Sequence, residues 1–300
     1  MFDVVGVGAN SIDQVYRLPE WPTLHGPSAK LRILGHLTSP GGQTATALAT
    51  CAAMGLGTKY IGTFGADEGG RLVRAELTRR GVDLADAVEC DGPNPCAVIL
   101  VDARTGERIV LWDRDERLRL KPDDIRADSL TQTRLLHVDD VDAEAAIAAA
   151  ALARLAGIPV TSDIEQVTAL TAALVAAVDI PIFTEPVPAA LTGEADIARA
   201  LRVIRKGHSG LLCVTLGSRG AMLLEGDVLH QVPGLEVAVV DTTGAGDVFR
   251  GAFIYALLRG DTPAGILRFA NTAAALSCTK LGAIGGIPTL AEVEAVLPST

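Results

Sequence analysis

The segment from Asp241 to Asp247 has the residue types that chemistry on a bound anion requires. Gly244 and Gly246 leave the main chain free of side chains, so several N–H groups can point at one anion. The apolar stretch from Val248 to Leu258 predicts a helix that begins here, and its positive dipole end adds to the same place. Asp247 lies in the first turn of that helix and brings a carboxylate beside the bound group.

This arrangement suits the transfer of a phosphoryl group to a hydroxyl. Main-chain amides stabilise the moving group while a carboxylate accepts the proton of the acceptor. We therefore expect Asp247 to be the base and Gly244, Ala245 and Gly246 to form the anion hole. The alternative is an ordinary loop and helix start, in which Asp247 only complements the helix dipole.

Composition and charge are those of an ordinary soluble globular enzyme. The chain has 300 residues, of which 49% are hydrophobic and 21% charged, which permits a sizeable core. The net charge of −10 argues against non-specific nucleic-acid binding. An acidic protein that binds a nucleotide must concentrate local positive charge or recruit a cation, which points towards a metal-bound nucleotide.

Cysteine usage and the N-terminus predict a cytoplasmic location. The five cysteines are scattered and include no Cys-x-x-Cys pair, which is typical of free thiols in a reducing compartment. Cys90 and Cys96 flank a Gly-Pro loop and could pair. Met1 to Val5 lacks the features of a signal peptide, and the alanine-rich run from Ala145 to Ala156 is too short to span a bilayer.

The order of predicted elements indicates a parallel sheet with a separate lid. From Leu135 onward strands alternate with helices, a pattern that favours a parallel sheet covered on both faces. Residues 14–38 and 96–114 break this rhythm and include a hairpin signal. We expect them to form a small β lid over the carboxyl ends of the parallel strands, where ligands bind in such sheets. The predicted segments outside the alternating part are strands at Val4–Gly8 and Tyr60–Phe64 and helices at Gln43–Met54, Glu68–Arg80, Ala245–Leu258, Ala264–Leu281 and Leu290–Leu297.

Two common nucleotide-binding patterns are poorly supported. No Gly-x-x-x-x-Gly-Lys-Ser/Thr pattern occurs, which excludes a Walker A loop. Gly6-Val7-Gly8 begins like a dinucleotide fingerprint, but Ser11 stands where the third glycine belongs.

Five motifs, in order along nearly the whole chain, resemble those of the ribokinase family, the PfkB carbohydrate kinases. They are Gly8-Ala9-Asn10-Ser11-Ile12-Asp13, Gly41-Gly42, Val214-Thr215-Leu216-Gly217-Ser218-Arg219-Gly220, Asp241 to Gly251, and Asn271-Thr272-Ala273-Ala274. The resemblance implies an α/β fold, a three-layer α/β/α sandwich with a mainly parallel central sheet and a small β-sheet lid, as one domain over residues 1–300. It also implies magnesium-dependent phosphoryl transfer from ATP to a sugar.

The resemblance assigns residues to two binding regions. The sugar side comprises Asn10, Asp13, Gly41, Gly42 and Gln43, and the nucleotide side comprises Thr215, Gly217, Gly220 and Asn271. Each assignment has a plainer alternative: Asp13 could cap a turn, Thr215 and Gly217 could simply end a strand, and Asn271 could be a solvated helix position.

Several positions depart from the family pattern. Gln43 stands where the family usually has Asn. Arg250 replaces a small or amide residue, and a cation there could approach a phosphate or pair with an acidic neighbour. In the family's Asn-x-x-Glu element, which is linked to magnesium, Thr184 and Val187 occupy the Asn and Glu places, and Glu185 is the remaining carboxylate. Either Asp163 and Glu165 supply the carboxylates that bind the metal, or the metal is held mostly by the phosphates.

Two further groups of residues are candidates for ion or substrate binding. Asp241, Thr243 and Gly282 match the family's monovalent-cation positions loosely, which suggests activation by potassium. The lid carries Lys30, Arg32, Arg108 and Arg114, which form a solvated rim or, if one or two face inward, bind an anionic sugar. We place Arg114 among the substrate-binding candidates.

The sequence thus predicts an ATP-dependent sugar kinase. The segment Val160–Glu165 is most similar to the ketohexokinase and fructokinase side of the family. One alternative is a nucleoside kinase of the same fold, although only 4% of the residues are aromatic. Another is a catalytically silent sensor of sugar or nucleotide. Pairing of lid strands across a homodimer is a further expectation from the resemblance.

Overall fold

A computed structural model describes residues 1–297 as a three-layer α/β/α sandwich with a second, smaller sheet. The predicted domain runs to residue 300, and residues 298–300 lie outside the described part. In chain order the strands are β1 Phe2–Val7, β2 Ser11–Leu18, β3 Gly35–Gly41, β4 Thr58–Ile61, β5 Thr63–Gly65, β6 Val88–Cys90, β7 Cys96–Asp102, β8 Arg108–Asp113, β9 Thr133–Asp139, β10 Val160–Ile164, β11 Ile180–Thr184, β12 Leu212–Thr215, β13 Ala221–Glu225 and β14 Val228–Val232. The α helices are α1 Gln43–Ala53, α2 Glu68–Arg79, α3 Ala127–Leu130, α4 Ala143–Leu155, α5 Thr171–Ala177, α6 Pro186–Thr192, α7 Ile197–Arg205, α8 Ala245–Arg259, α9 Pro263–Ser277, α10 Ala283–Gly286 and α11 Leu290–Val296.

The central sheet is mainly parallel, as predicted. Its strand order is β14-β13-β12-β11-β10-β9-β1-β4, and within residues 1–297 β13 alone runs opposite to the other strands of this sheet. Strand residues are buried on both faces: Val4 belongs to the core beneath α1, α8 and α9, whereas its neighbour Val5 belongs to the core beneath α4 and α5. Burial on both faces is why these strands are nearly continuous apolar runs.

The lid sheet has the strand order β3-β2-β7-β8. Its own core is small and consists of Val15, Ala97, Ile99 and Val101. All residues of the edge strand β8 are exposed. A further pair of short parallel strands, β5 and β6, lies beside the main sheet.

Two sequence predictions were wrong in detail. The predicted strand Tyr60–Phe64 is divided between β4 and β5, which belong to different sheets. The predicted helix Ala264–Leu281 ends at Ser277, and the chain restarts as α10 after Gly282, whose φ of 80° no helix accommodates. The prediction of free thiols is confirmed, because Cys90 and Cys96 are both unpaired.

No helix within residues 1–297 combines the length and the apolar character needed to cross a membrane.

Candidate functional site

A cavity of about 590 Å³ lies between the carboxyl ends of the central strands and the lid. The turn after β1, the starts of α1 and α8, the loops after β9 and β10, and strands β7 and β8 contribute to its walls. A crevice at the carboxyl ends of parallel strands is the usual ligand position in open α/β sheets. Many of the predicted site residues line this cavity: Asn10, Asp13, Gly42, Gln43, Arg114, Thr243, Gly244, Gly246 and Asp247.

The start of α8 forms one end of the cavity. Gly244 is the N-cap residue in the left-handed conformation with φ 75°, and a Cβ there would collide with Ala283. The first amides of a helix have no acceptor within that helix, so those of Ala245 and Gly246 can serve a ligand. Asp247 follows in the same first turn and is half-buried.

The pKa of the Asp247 carboxyl is raised to about 8. Burial is the main cause, and the nearby charge of Glu165 adds to it, while Arg250 and Arg108 oppose the shift. Without ligand, this carboxyl therefore carries a proton at neutral pH. A positive charge beside it would favour the ionised form that a base requires.

Arg250 lies behind the anion hole rather than in the cavity. Its side chain is completely buried and forms an ion pair with the equally buried Asp163. One guanidinium nitrogen occupies the space beside Gly246, where an added Cβ would lie 2.6 Å from it. The sequence indicated that Arg250 could approach a phosphate or pair with an acid, and the structure shows the ion pair.

Asp13 and Asn10 also line the cavity. Asp13 accepts a hydrogen bond from the Ser11 hydroxyl at 2.6 Å, and burial raises the pKa of its carboxyl to about 6. Asn10 donates from its amide nitrogen to the Tyr60 hydroxyl at 2.9 Å and to the Thr63 carbonyl at 2.7 Å. The amide oxygen of Asn10 is buried without a hydrogen-bond partner.

The glycine pair before α1 brings the main chain close to these two residues. A Cβ on Gly41 would collide with the Asp13 carboxylate, and one on Gly42 would collide with the backbone of Asn10. Gln43 begins α1, and its side-chain oxygen is also buried without a partner. The structure thus brings the five residues predicted for the sugar side together.

Asp139 is a contributor to this part of the site that the sequence reasoning did not single out. It is buried at the end of β9 and accepts hydrogen bonds at 2.7 Å from the Ala9 amide and from the Thr44 hydroxyl. Burial raises the pKa of its carboxyl to about 6. Its hydrogen bonds connect the turn after β1 to α1. In the sequence, its position at the end of a predicted strand was the feature that could have identified it.

The two cavity-lining arginines of the lid differ in their partners. Arg114 donates two hydrogen bonds to Asp142, at 2.9 and 2.6 Å, and a third to the Leu118 carbonyl at 2.6 Å. Arg108 instead donates to the Thr242 hydroxyl at 2.9 Å. Lys30 and Arg32 do not line the cavity.

The predicted nucleotide residues lie outside the cavity, around the ends of β12 to β14. Asn271 donates from its amide nitrogen to the carbonyls of Val232 and Pro233, at 3.0 and 3.1 Å. Gly220, with φ 91°, packs against the same Val232 carbonyl. Thr215 ends β12, and Gly217 begins the turn that follows. Gly220 and Asn271 therefore both contact the short segment Val232-Pro233.

The residues predicted for ions fall into two places. Asp241 is buried, and its carboxylate accepts bonds from the Thr243 amide at 2.8 Å, the Thr243 hydroxyl at 2.6 Å and the Gly282 amide at 2.9 Å. Glu185 is exposed, forms an ion pair with Arg219 and does not line the cavity.

Carboxylates also gather beside Asp247. Oxygens of Asp163, Glu165 and Asp247 lie within 4.8 Å of one another. Asp140 lines the cavity as well and accepts hydrogen bonds from the amides of Glu165 and Gln166, at 2.8 and 3.0 Å. Since Asp163 is paired with Arg250, Glu165 and Asp140 are the carboxylates available to a cation next to Asp247.

Comparison with known proteins agrees with this geometry. The model of the pfkB family of carbohydrate kinases matches residues 8–290. Fructokinase-1 of Zea mays is 30% identical over 97% of this chain and 96% of its own length. A putative ribokinase from Agrobacterium tumefaciens superposes with a TM-score of 0.89 at 28% identity, covering 98% of this chain and 96% of its own. An Arabidopsis thaliana ribokinase complexed with ribose and ATP has a TM-score of 0.83 at 26% identity, covering 100% and 99%.

The fold is thus that of a ribokinase-like carbohydrate kinase. The chain belongs to the PfkB family of carbohydrate kinases. It is a sugar kinase, and the family resemblance inferred from the five motifs is confirmed.

Proposed function

We propose that this protein transfers the γ-phosphoryl group of ATP to a hydroxyl of a small neutral sugar. The observation that carries the proposal is the position of Asp247, which lies in the first turn of α8 and faces the same cavity as Asp13. The sugar would lie between Asp13 and Asp247, with residues 1–300 acting as one unit whose lid covers the sugar. The similar Arabidopsis ribokinase, which carries ribose and ATP, supports this ligand pair.

Hydrogen-bond acceptors on the sugar side favour a polyhydroxylated substrate. The Asp13 carboxylate and the unpartnered oxygens of Asn10 and Gln43 can each accept a bond from a hydroxyl. A buried acceptor without a partner costs about 1–3 kcal/mol, so these groups disfavour ligands that lack donors. An anionic sugar fits less well, because Asp142 already neutralises Arg114.

Among neutral sugars we favour a ketohexose such as fructose. The overall likeness to a fructokinase supports this choice, as does the local sequence at β10. Ribose is the natural comparison, since the similar solved structures are ribokinases.

In the proposed reaction each group of residues has a separate role. Asp247 accepts the proton of the sugar hydroxyl, and the amides of Gly244, Ala245 and Gly246 stabilise the transferred phosphoryl group. ATP would extend from α8 towards Thr215, Gly217, Gly220 and Asn271. The lid would exclude water, which otherwise competes with the sugar as acceptor.

Magnesium fits the carboxylates beside Asp247 better than it fits Glu185. Oxygen ligands are those that magnesium prefers, and Glu165 and Asp140 supply them at the cavity wall. Glu185 is engaged by Arg219 at the surface. We therefore propose that the phosphates carry most of the metal and that Glu165 and Asp140 bind its water shell. Bound magnesium would neutralise phosphate charge.

Potassium activation is a separate proposal. Asp241, Thr243 and Gly282 meet at one point next to the anion hole, which supports it. Equal turnover in potassium and in a large organic cation would contradict it.

The deciding experiment is a screen for ADP release with magnesium ATP. Fructose, other ketoses, ribose, sugar acids, sugar phosphates and adenosine are tested in parallel. We expect fructose or another neutral ketose to give the largest kcat/KM. Preference for a sugar phosphate or acid would contradict the neutral assignment.

Replacement of the base tests the mechanism. We expect Asp247→Asn to lower kcat by roughly two to four orders of magnitude, because general-base catalysis contributes about that much. ATP binding, measured by calorimetry, should be retained. Activity that survives the change would show that Asp247 is not the base.

A nucleoside kinase is the second candidate, because Trp112, Ile99 and Val110 give the lid side of the cavity an apolar wall. Turnover of adenosine above that of every sugar would favour it. A sensor would instead be stabilised by ligands without releasing ADP.

A further inference from the structure

The cavity has an excess of negative charge that a nucleoside triphosphate must overcome. Its lining includes five carboxyl groups, those of Asp13, Asp113, Asp140, Glu165 and Asp247, of which Asp247 is protonated at neutral pH. Two arginines, Arg108 and Arg114, bring positive charge to the lining. Arg114 donates hydrogen bonds to both carboxylate oxygens of Asp142. Within residues 1–297, Arg108 is therefore the cavity-lining cation without a carboxylate partner.

Arg108 lies close to the anion hole although it belongs to the lid. It is the first residue of β8, and its Nη1 donates to the Thr242 hydroxyl, two residues before Gly244. That hydroxyl in turn donates to the Gly106 carbonyl at 3.1 Å, at the tip of the β7–β8 hairpin. Gly106 packs directly against Val239, where a Cβ would collide. The hairpin tip thus rests on the segment that leads into the anion hole.

Arg108 lines the same cavity as Asp247 and Asp13. Its charge lowers the pKa of Asp247 and also that of Asp13. The guanidinium is therefore near both the proposed base and the proposed sugar-binding carboxylate. A hydroxyl is a weak partner for a guanidinium, whereas phosphate oxygens match its fork of donors.

We propose that Arg108 is a catalytic residue that binds the transferring phosphoryl group, exchanging the Thr242 hydroxyl for phosphate oxygens. This inference rests on the proposed function. In the step, the bond between the γ-phosphorus and the β–γ bridging oxygen breaks, and the oxygen leaves with ADP. The sugar hydroxyl oxygen forms the new bond to phosphorus, and its proton passes to Asp247. Arg108 neutralises the charge on the three phosphoryl oxygens throughout and exchanges no proton.

The kinetic test compares full-length variants on the sugar that the screen identifies. We expect Arg108→Gln to lower kcat roughly a hundredfold, which is the effect of removing one donor to a developing anion. KM for the sugar should change less than about threefold, and Arg108→Lys should recover about a tenth of the wild-type kcat, because it keeps the charge but loses the fork.

Arg104 provides a matched control. It lies in the same hairpin, does not line the cavity and is held by two hydrogen bonds to Asp102, at 3.0 and 2.6 Å. Arg104→Gln should leave kcat within about threefold of wild type. An equal loss in both variants would assign the effect to hairpin structure and overturn the proposal. A higher sugar KM at unchanged kcat would also overturn it, and would place Arg108 on an anionic part of the sugar.

A binding measurement separates this inference from the proposed function. Aluminium fluoride with magnesium ADP mimics the planar phosphoryl group and needs no sugar turnover. We expect Arg108→Gln to weaken the binding of this mixture at least tenfold, measured by thermal shift over a concentration series, while ADP alone binds equally to both proteins. Equal binding of the mimic would overturn the role of Arg108. If the wild-type enzyme turned over no sugar, the proposed function would fail, and the mimic would still decide about Arg108.

Discussion

At the scale of residues, the site is built from buried acids that resist ionisation. Burial raises the pKa of Asp13 and Asp139 to about 6 and that of Asp247 to about 8. In the unfolded chain such carboxyls titrate near 3.9. Ionisation therefore opposes folding in the empty protein, and cationic ligands relieve this opposition.

This difference predicts how stability depends on pH. The pKa of Asp247 is higher in the folded state, so its contribution is fully present below about pH 4 and is lost as pH rises towards 8. We expect Asp247→Asn, which cannot ionise, to become more stable relative to wild type across this range. Urea unfolding of both proteins at several pH values, with EDTA and without nucleotide, measures it. A difference in unfolding free energy that does not change with pH would contradict the raised pKa.

The buried pair of Arg250 and Asp163 also makes a prediction at this scale. Removing one partner of a buried ion pair leaves an uncompensated charge, so we expect Arg250→Met to cost about 3–5 kcal/mol of unfolding free energy. The double variant with Asp163→Leu should recover most of that loss. The exposed pair of Arg126 and Asp128 is the control, because Arg126→Met should cost at most about 1 kcal/mol. If Arg250→Met also lowered the unfolding free energy by at most about 1 kcal/mol, the buried pair would contribute little to stability.

At the scale of elements, two helices aim their N-termini at one cavity. Both α1 and α8 begin after a glycine with positive φ, Gly42 at 97° and Gly244 at 75°. The helices approach closely, since Gly251 of α8 packs against the Ala47 carbonyl and Thr50 of α1. Their packing fixes the distance between the sugar side and the anion hole.

Substitutions at the two glycines that flank α1 can distinguish the cost of a steric collision from the cost of a strained backbone conformation. Gly42 and Gly55 both have positive φ, but a Cβ on Gly55 would meet open space, whereas one on Gly42 would collide with Asn10. We expect Gly55→Ala to cost about 1 kcal/mol, the penalty of the left-handed conformation. Gly42→Ala should cost more and should also raise the sugar KM at least tenfold. Equal effects on stability and KM would show that the close approach at Gly42 is not required.

At the scale of the whole molecule, the lid leaves an apolar surface uncovered. Val98, Ile109 and Leu111 are 38%, 46% and 57% exposed on the edge strand and its neighbour. An exposed edge strand with apolar residues is a template for pairing with a second chain. We propose a homodimer formed through these lid strands.

Sedimentation velocity tests the dimer. We expect the wild-type protein to sediment as a dimer and Leu111→Glu as a monomer, because the charge would lie within the paired sheets. Leu155, at the end of α4, is 87% exposed and far from the lid in sequence, so Leu155→Glu should remain a dimer. A monomeric wild-type protein would refute the proposal.

The sequence by itself determined the features that depend on neighbouring residues. Alternating strands and helices predicted the sheet, and the glycine-rich run up to Asp247 predicted a helix start able to bind an anion, because both signals lie within a few residues of the chain. The family motifs then gave the fold, the lid and the class of enzyme. Element ends were less accurate where a glycine or a change of sheet intervened, as at Gly282.

Only the tertiary structure decided which charged groups meet. Asp163 pairs with Arg250, Asp142 with Arg114 and Glu185 with Arg219, and each partner lies 28 to 87 positions away in the chain. Within residues 1–297 these pairs leave Arg108 as a cavity-lining cation without a carboxylate partner and leave Glu165 and Asp140 open to a cation. Such contacts depend on which strand ends adjoin in the sheet, and local sequence carries no signal for that.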